Sequence, residues 1–279
     1  MRLSELLLRP LITLLVLGTF FFLLESAVGK ARPQRILRGG FRLDIIYWFI
    51  APMLKVLTRM ALIIPASVLI LLGVTTPEVL KAGHYLGFGP LSQQPLWLQA
   101  VQIVFLVDLS GYWIHRLFHT GHWWPFHSIH HSSESVDWLA AVRVHPVNEL
   151  LDKIAQVTPV LLLGYNPTVT ISFAPLLTLY AIYLHANLNW DNGPMRAFIS
   201  SPVFHRWHHS NAPAARNKNF AGLFPLWDIL FKTYYMPKDL RPETFGIDEV
   251  LPDSYPSQVW APFAALTQRK AQEQNPPPA

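Results

Sequence analysis

The chain has 279 residues, of which 51% are hydrophobic and only 14% charged, whereas a soluble domain carries roughly a quarter charged residues. That shortfall points to a membrane protein, and long apolar runs set soluble-domain arithmetic aside. With no cysteine and a net charge of +5, the chain builds no disulfide, thiolate-held haem, Fe–S cluster or Cys-type zinc site.

The first apolar run, about Leu6 to Leu24, approaches the ~20 residues that a bilayer crossing demands. It exceeds the ~7–15 residue core of a secretory signal and lacks a small-residue cleavage site, so it reads as a retained membrane helix. A basic block follows: Lys30, Arg32, Arg35, Arg38 and Arg42. Beside an apolar span it reads as an anionic-lipid contact and a topology signal, with no nucleic-acid role. The next run, "LDIIYWFIAPMLKVLTRMALIIPASVLILLG", is interrupted by Pro52, Lys55, Arg59 and Pro65. Its first part is expected at the interface, with Met60 to Leu72 crossing.

A Gly- and Pro-rich loop, Thr75 to Pro95, leads into "LWLQAVQIVFLVDLSGYWIHRLFH". This reads as a helix that leaves the membrane still helical. The apolar stretch Val157 to Leu188 is broken by "GYNP" at Gly164 to Pro167. It reads as a hairpin of about 157–187, up to Leu163 and back from Thr168 to His185. From Asn189 the chain is polar and aromatic, and the tail ending "QNPPPA" reads as a surface extension with a frayed end. Three regions result: 1–95 with transmembrane and interfacial helices, 96–237 with the chemistry, and a tail, 238–279. The expected fold is an all-α integral membrane protein of about four transmembrane helices with a cytoplasmic helical cap. The basic loop belongs in the cytoplasm; two crossings later His115 returns there, and the hairpin delivers His205 to the same side.

Histidine spacing carries the chemistry. "HRLFH" holds His115 and His119; "HSIHH" holds His127, His130 and His131; "HANLN" holds His185; "HRWHH" holds His205, His208 and His209. Residues three and four apart share a helix face, so each group aims its imidazoles one way. Nine imidazoles at one membrane face suit two metal ions with four or five ligands each, and imidazole suits Fe, Zn, Cu and Ni. His84 stands alone in a loop and reads as incidental. His122 shares the face of His119 only if the helix continues through "TGHWW". His145, before Pro146, is a supporting residue or a weak ligand. Asn189, four beyond His185, is either an oxygen ligand or a turn residue.

Acidic residues are expected behind the ligands, because a ligating histidine usually gives its other N–H to a carboxylate, carbonyl or water. Asp108 lies inside an apolar helix, seven before His115, and an intramembrane carboxylate is a functional candidate. Glu134, Glu149 and Asp228 are further candidates, with Arg116 and Arg206 as partners for them or for lipid headgroups. Trp113, Trp123, Trp124, Trp138, Trp190 and Trp207 either line a substrate entrance or form an interfacial belt.

The elements "DLSGYWIHRLFH", "WPFHSIHHSSE", "RVHP", "HANLN", "FHRWHH" and "KNFAGLFPLWDILFKTY" resemble, in order, the fatty acid hydroxylase, or sterol desaturase, superfamily of membrane enzymes. They cover about Asp108 to Tyr234, and within the superfamily they look like its alkylglycerol monooxygenase and bacterial sterol-desaturase-like members. The resemblance implies two iron ions in a non-haem diiron centre, O2 as co-substrate, and oxidation of a lipid C–H bond. It carries over His115, His119, His127, His130, His131, His205, His208 and His209 as ligands, and His185 with them. Some relatives place a further histidine where this chain has Asn189. No haem-, flavin- or Fe–S-binding signature is present, so electrons come from a cytochrome b5-like protein or a ferredoxin with its reductase. The membrane is a bacterial inner membrane or an ER-like one. Hydroxylation of a fatty acyl, sterol or ether-lipid substrate is expected. A desaturase with the same centre, a zinc-dependent membrane hydrolase and a non-enzymatic metal-binding protein are the alternatives.

Overall fold

A computed structural model describes residues 3–82 and 84–274. Twelve α-helices are present among them: α1 (Leu3–Val28), α2 (Phe41–Ile50), α3 (Lys55–Leu71), α4 (Pro77–Lys81), α5 (Gly89–Ser92), α6 (Leu96–Phe118), α7 (Trp124–His131), α8 (Pro146–Leu162), α9 (Pro167–His185), α10 (Pro202–His208), α11 (Leu226–Leu230) and α12 (Tyr255–Gln274). No strand occurs among the described residues; β-pairing is limited to the isolated bridges Lys30–Leu188 and Ser210–Phe245.

Among the described residues, four helical stretches are long and apolar enough to cross a membrane: Leu7–Val28, Phe41–Leu71, Leu96–Phe118 and Pro167–His185. Large apolar side chains such as Leu15, Ile63, Trp97 and Ile171 are left exposed on them, the pattern of helices whose outer solvent is hydrocarbon. The second stretch differs from the sequence expectation. α2, a 3-10 turn at Ala51–Leu54 and α3 follow without a break. The apolar character therefore runs over 31 residues, longer than the expected crossing at Met60 to Leu72. Pro52 falls in the turn, where its missing N–H breaks the α-helical ladder.

Of the expected membrane hairpin, the second leg, α9, is among these four stretches; the first leg, α8, is not, and it starts earlier than Val157, at Pro146. His145 caps that leg by accepting the N–H of Val147, and Pro146 at the first helical position needs no donor. The turn after α8 uses Gly164 at φ +90°, where an added Cβ would sit 2.3 Å from the Phe88 carbonyl oxygen. The same turn accepts the Phe88 N–H at 2.9 Å, so it locks onto the loop before α6. Gln99 near the start of α6 accepts the Asn166 N–H, and Leu161 packs with Leu69 and Tyr85. These contacts gather the starts of α6 and α9 with the ends of α3 and α8 at one end of the bundle.

At the opposite end, Glu25 of α1 accepts the Asn187 N–H and Asp44 of α2 pairs with Arg143 at 2.6 Å. The ends of α6 and α9 and the start of α8 lie there too, and α7, α10 and α11 cap them. Arg38 is not a lipid contact. It is buried between Asp44 and Asp137, while Lys30, Arg32, Arg35 and Arg42 stay exposed. The tail is also not a surface extension as far as α12. Gln258 accepts the Tyr47 hydroxyl, Phe263 packs on Phe126, and the Val259 carbonyl accepts from His145. The frayed end expected at 275–279 lies outside the described residues.

Candidate metal centre

Four separate segments deliver the nine expected histidines to one place. His115 lies in the last turn of α6 and His119 directly follows it; His185 ends α9. The short helices α7 and α10 each open on a proline within the first turn, and the Ser201 hydroxyl caps α10 by accepting the Phe204 N–H. Each carries the His-x-x-His-His spacing and divides it between two groups. The first group is His115, His119, His127, His131 and His208; the second is His130, His185, His205 and His209. Within each group, one ligand atom per residue lies within 4.8 Å of every other. The groups abut, with the His131 and His209 rings stacked at 4.4 Å.

Hydrogen bonds to the outer ring nitrogens decide the tautomers. His115 Nδ1 donates to the Phe220 carbonyl at 2.8 Å. His127 Nδ1 donates to Asn148 Oδ1 at 2.7 Å; the Asn148 amide must present oxygen there, because its Nδ2 donates to Asp152. Both rings then expose a bare lone pair at Nε2, and these two nitrogens are 3.0 Å apart. The second group repeats this. His130 Nδ1 donates to the Arg143 carbonyl and His185 Nδ1 to the Ala181 carbonyl, and their Nε2 atoms face each other at 3.1 Å. Two lone pairs at such a distance repel unless a cation lies between the donors. His119 Nε2 and His208 Nε2 are also buried with no hydrogen-bond partner among the described residues, an expensive state for a polar atom unless it has a ligand. The donor set therefore fits two cations of imidazole preference, one per group.

Protonation points the same way. Burial, with the neighbouring imidazoles, holds His119, His127, His130, His131, His205, His208 and His209 well below the usual histidine range. Neutral rings at pH 7 are ready to ligate.

The remaining candidates fall elsewhere. His145 has both ring nitrogens engaged, by Val147 N–H and the Val259 carbonyl, so it supports α8 and ligates nothing. His122 is exposed in the turn after α6. Asn189 is exposed, and its Oδ1 accepts from Arg241 at 2.8 Å, which turns it away from both groups. Glu134 is exposed beside Gly246, and Glu149 pairs with Lys153. Asp108 touches no histidine: it accepts the Leu223 and Phe224 N–H groups and the Trp227 indole. Asp228 accepts the Phe220 and Ala221 N–H groups, directly behind the carbonyl that holds His115. Among the tryptophans, Trp138 and Trp207 are core residues. Trp124 borders a cavity of about 340 Å³ that opens on His119, His131 and His208 and is rimmed by Arg216, Asp248 and Glu249.

The residue that sequence reading missed is Asn148, with Asp152 behind it. Their i, i+4 spacing on α8 was the available signal. Asn148→Leu leaves His127 free to take either tautomer; metal affinity of the five-histidine group is expected to fall about 10–100-fold, read by titrating metal-free protein with Co(II).

Residues 100–233 match the fatty acid hydroxylase family model. The ornithine lipid hydroxylase OlsE of Rhizobium tropici is 28% identical over 173 residues, 62% of this chain and 52% of that protein. Alkylglycerol monooxygenase of Danio rerio is 33% identical over 134 residues, 48% of this chain and 30% of that protein. The C-4 methylsterol oxidase erg25 of Schizosaccharomyces pombe is 30% identical over 154 residues, 52% of this chain and 49% of that protein. The chain thus spans about half of these relatives' length or less. No solved structure matches.

Proposed function

Residues 100–233 belong to the fatty acid hydroxylase family, and from that premise we propose that the protein is a multi-pass membrane oxygenase that hydroxylates a lipid C–H bond with O2. The observation that carries this reading is the pair of facing, unprotonated Nε2 atoms in each histidine group, His115 with His127 and His130 with His185. Two iron ions are the cofactor. His115, His119, His127, His131 and His208 would hold one, and His130, His185, His205 and His209 the other. When bound, the pair supplies the O2-derived oxidant for an aliphatic C–H bond, which side-chain acid–base chemistry cannot attack.

The chain's own residues do the rest. Backbone carbonyls and Asn148 keep the ring protons on Nδ1 and leave Nε2 free for metal. The four-histidine group is buried throughout, which limits access of bulk water to the reacting atoms; the five-histidine group meets solvent through the cavity beside His119, His131 and His208. The apolar surfaces of α6 and α9 end at the site and present it to a lipid still in the bilayer. The reacting carbon belongs to a fatty acyl, sterol, ether-lipid or ornithine-lipid type of substrate; the relatives are named for an ornithine lipid, an alkylglycerol and a C-4 methylsterol. The exposed basic residues between α1 and α2 favour a cytoplasmic position for the cap. A cytochrome b5-like protein or a ferredoxin with its reductase would deliver electrons there.

The test is comparative lipidomics under 18O2 of cells with and without the gene. A gene-dependent lipid carrying one 18O is expected. A gene-dependent product lighter by two hydrogens and free of label would replace hydroxylation by desaturation. No gene-dependent lipid of either kind would overturn the proposal.

A further inference from the structure

Asn217 and Asn219 adopt φ of +57° and +58°, a left-handed region that asparagine tolerates better than most residues. Around them the backbone presents two carbonyls to the five-histidine group: Lys218 to His208 Nδ1 and Phe220 to His115 Nδ1, each at 2.8 Å. In a trans peptide the N–H points opposite to the C=O. The partner of the Phe220 carbonyl is therefore the Ala221 N–H, and that N–H donates to Asp228 Oδ2 at 2.8 Å. The partner of the Lys218 carbonyl is the Asn219 N–H, which donates to the Thr233 carbonyl at 3.0 Å. Thr233 is itself tied to Asp228, through its hydroxyl to Oδ1 and its N–H to the Asp228 carbonyl.

From this geometry we infer that Asp228 is the carboxylate partner of His115, acting through the intervening 220–221 peptide. The buried charge polarises one peptide and fixes its plane, so the imidazole at its other end keeps its proton on Nδ1 and a more basic lone pair on Nε2. Asp228 is a positioning residue for the five-histidine group alone. The four-histidine group takes its carbonyls from Arg143 and Ala181, which this segment does not supply. Asp108 serves as an internal comparison. It holds the N–H groups of Leu223 and Phe224, whose peptides carry no carbonyl that a histidine uses.

This inference rests on the two-metal reading above. The experiment is a Co(II) titration of detergent-extracted, metal-free full-length chain, following the visible ligand-field bands of both phases. Wild type should take up two ions. Asp228→Asn should weaken the five-histidine phase about 10-fold and shift its bands, leaving the other phase unmoved. Asp228→Glu, which keeps the charge, should restore that phase, and Asp108→Asn should leave both unmoved. Equal weakening of both phases in Asp228→Asn and Asp228→Glu alike, no change in either, or an equal effect from Asp108→Asn would overturn the inference. Uptake of fewer than two ions by wild type would instead fail the two-metal reading itself.

Discussion

His185→Ala is expected to abolish lipid oxidation and to lower bound metal from two ions per chain to one, with membrane insertion unchanged. His185 ends α9 and belongs to the smaller histidine group, so its loss leaves three imidazoles where four converged. Its Nε2 lies 3.1 Å from both His130 Nε2 and His205 Nε2, and removing it takes a donor from the middle of that group. Changes behind a ligand cost about 10–100-fold in metal affinity; removal of the ligand itself should exceed that. The five-histidine group shares none of these donors and should keep its ion. Metal analysis after dialysis, beside the lipid assay, checks both halves. Two retained ions with full oxidation would remove the four-histidine group from the mechanism.

Acidification is expected to strip metal and to destabilise the metal-free chain. The seven histidines cited above have folded pKa values below the unfolded value of about 6.5. Between the two values the unfolded state binds more protons, so stability rises with pH. Their contribution is level above about pH 6.5 and falls as pH drops through it. Bound metal holds the same nitrogens against protons, so the metal-loaded protein should survive to lower pH. Thermal unfolding at pH 7.5, 6 and 5, with and without metal, reads both effects. A melting temperature of the metal-free chain that rises on acidification would contradict the burial of these rings.

Much of the site was legible because histidine spacing is a local code. The i, i+3, i+4 pattern aims three rings from one turn of helix, and counting apolar crossings places His115 and His205 on one side. The division between groups was not legible. It depends on which side of α7 and α10 faces which neighbour, and that sends His130 to one group and His127 and His131 to the other. The roles of Asp108 and Asp228 were hidden for a different reason. Both bind backbone N–H groups and no imidazole: Asp108 takes those of Leu223 and Phe224, more than 100 positions later, and Asp228 those of Phe220 and Ala221, a few positions earlier, so that Asp228 reaches His115 only through a peptide. Arg38 was misread because a guanidinium in a basic block gives no sign of a carboxylate 99 positions later, and Asp137 takes two of its nitrogens. α12 was missed because its polar residues and Pro262 mask the few side chains, Tyr255, Gln258 and Phe263, that dock it.

The buried pairing of Asp44 with Arg143 has a consequence for biogenesis. These residues are 99 apart in sequence, and a ribosome adding about 5–20 residues per second makes the arginine about 5–20 seconds after the aspartate. During that interval α1 to α3 leave the ribosome with only Arg38 to neutralise a carboxylate at the head of a nascent hydrophobic segment. The contact that joins α2 to the segment before α8 therefore forms only after Arg143 has been made, later than every residue of α1 to α3.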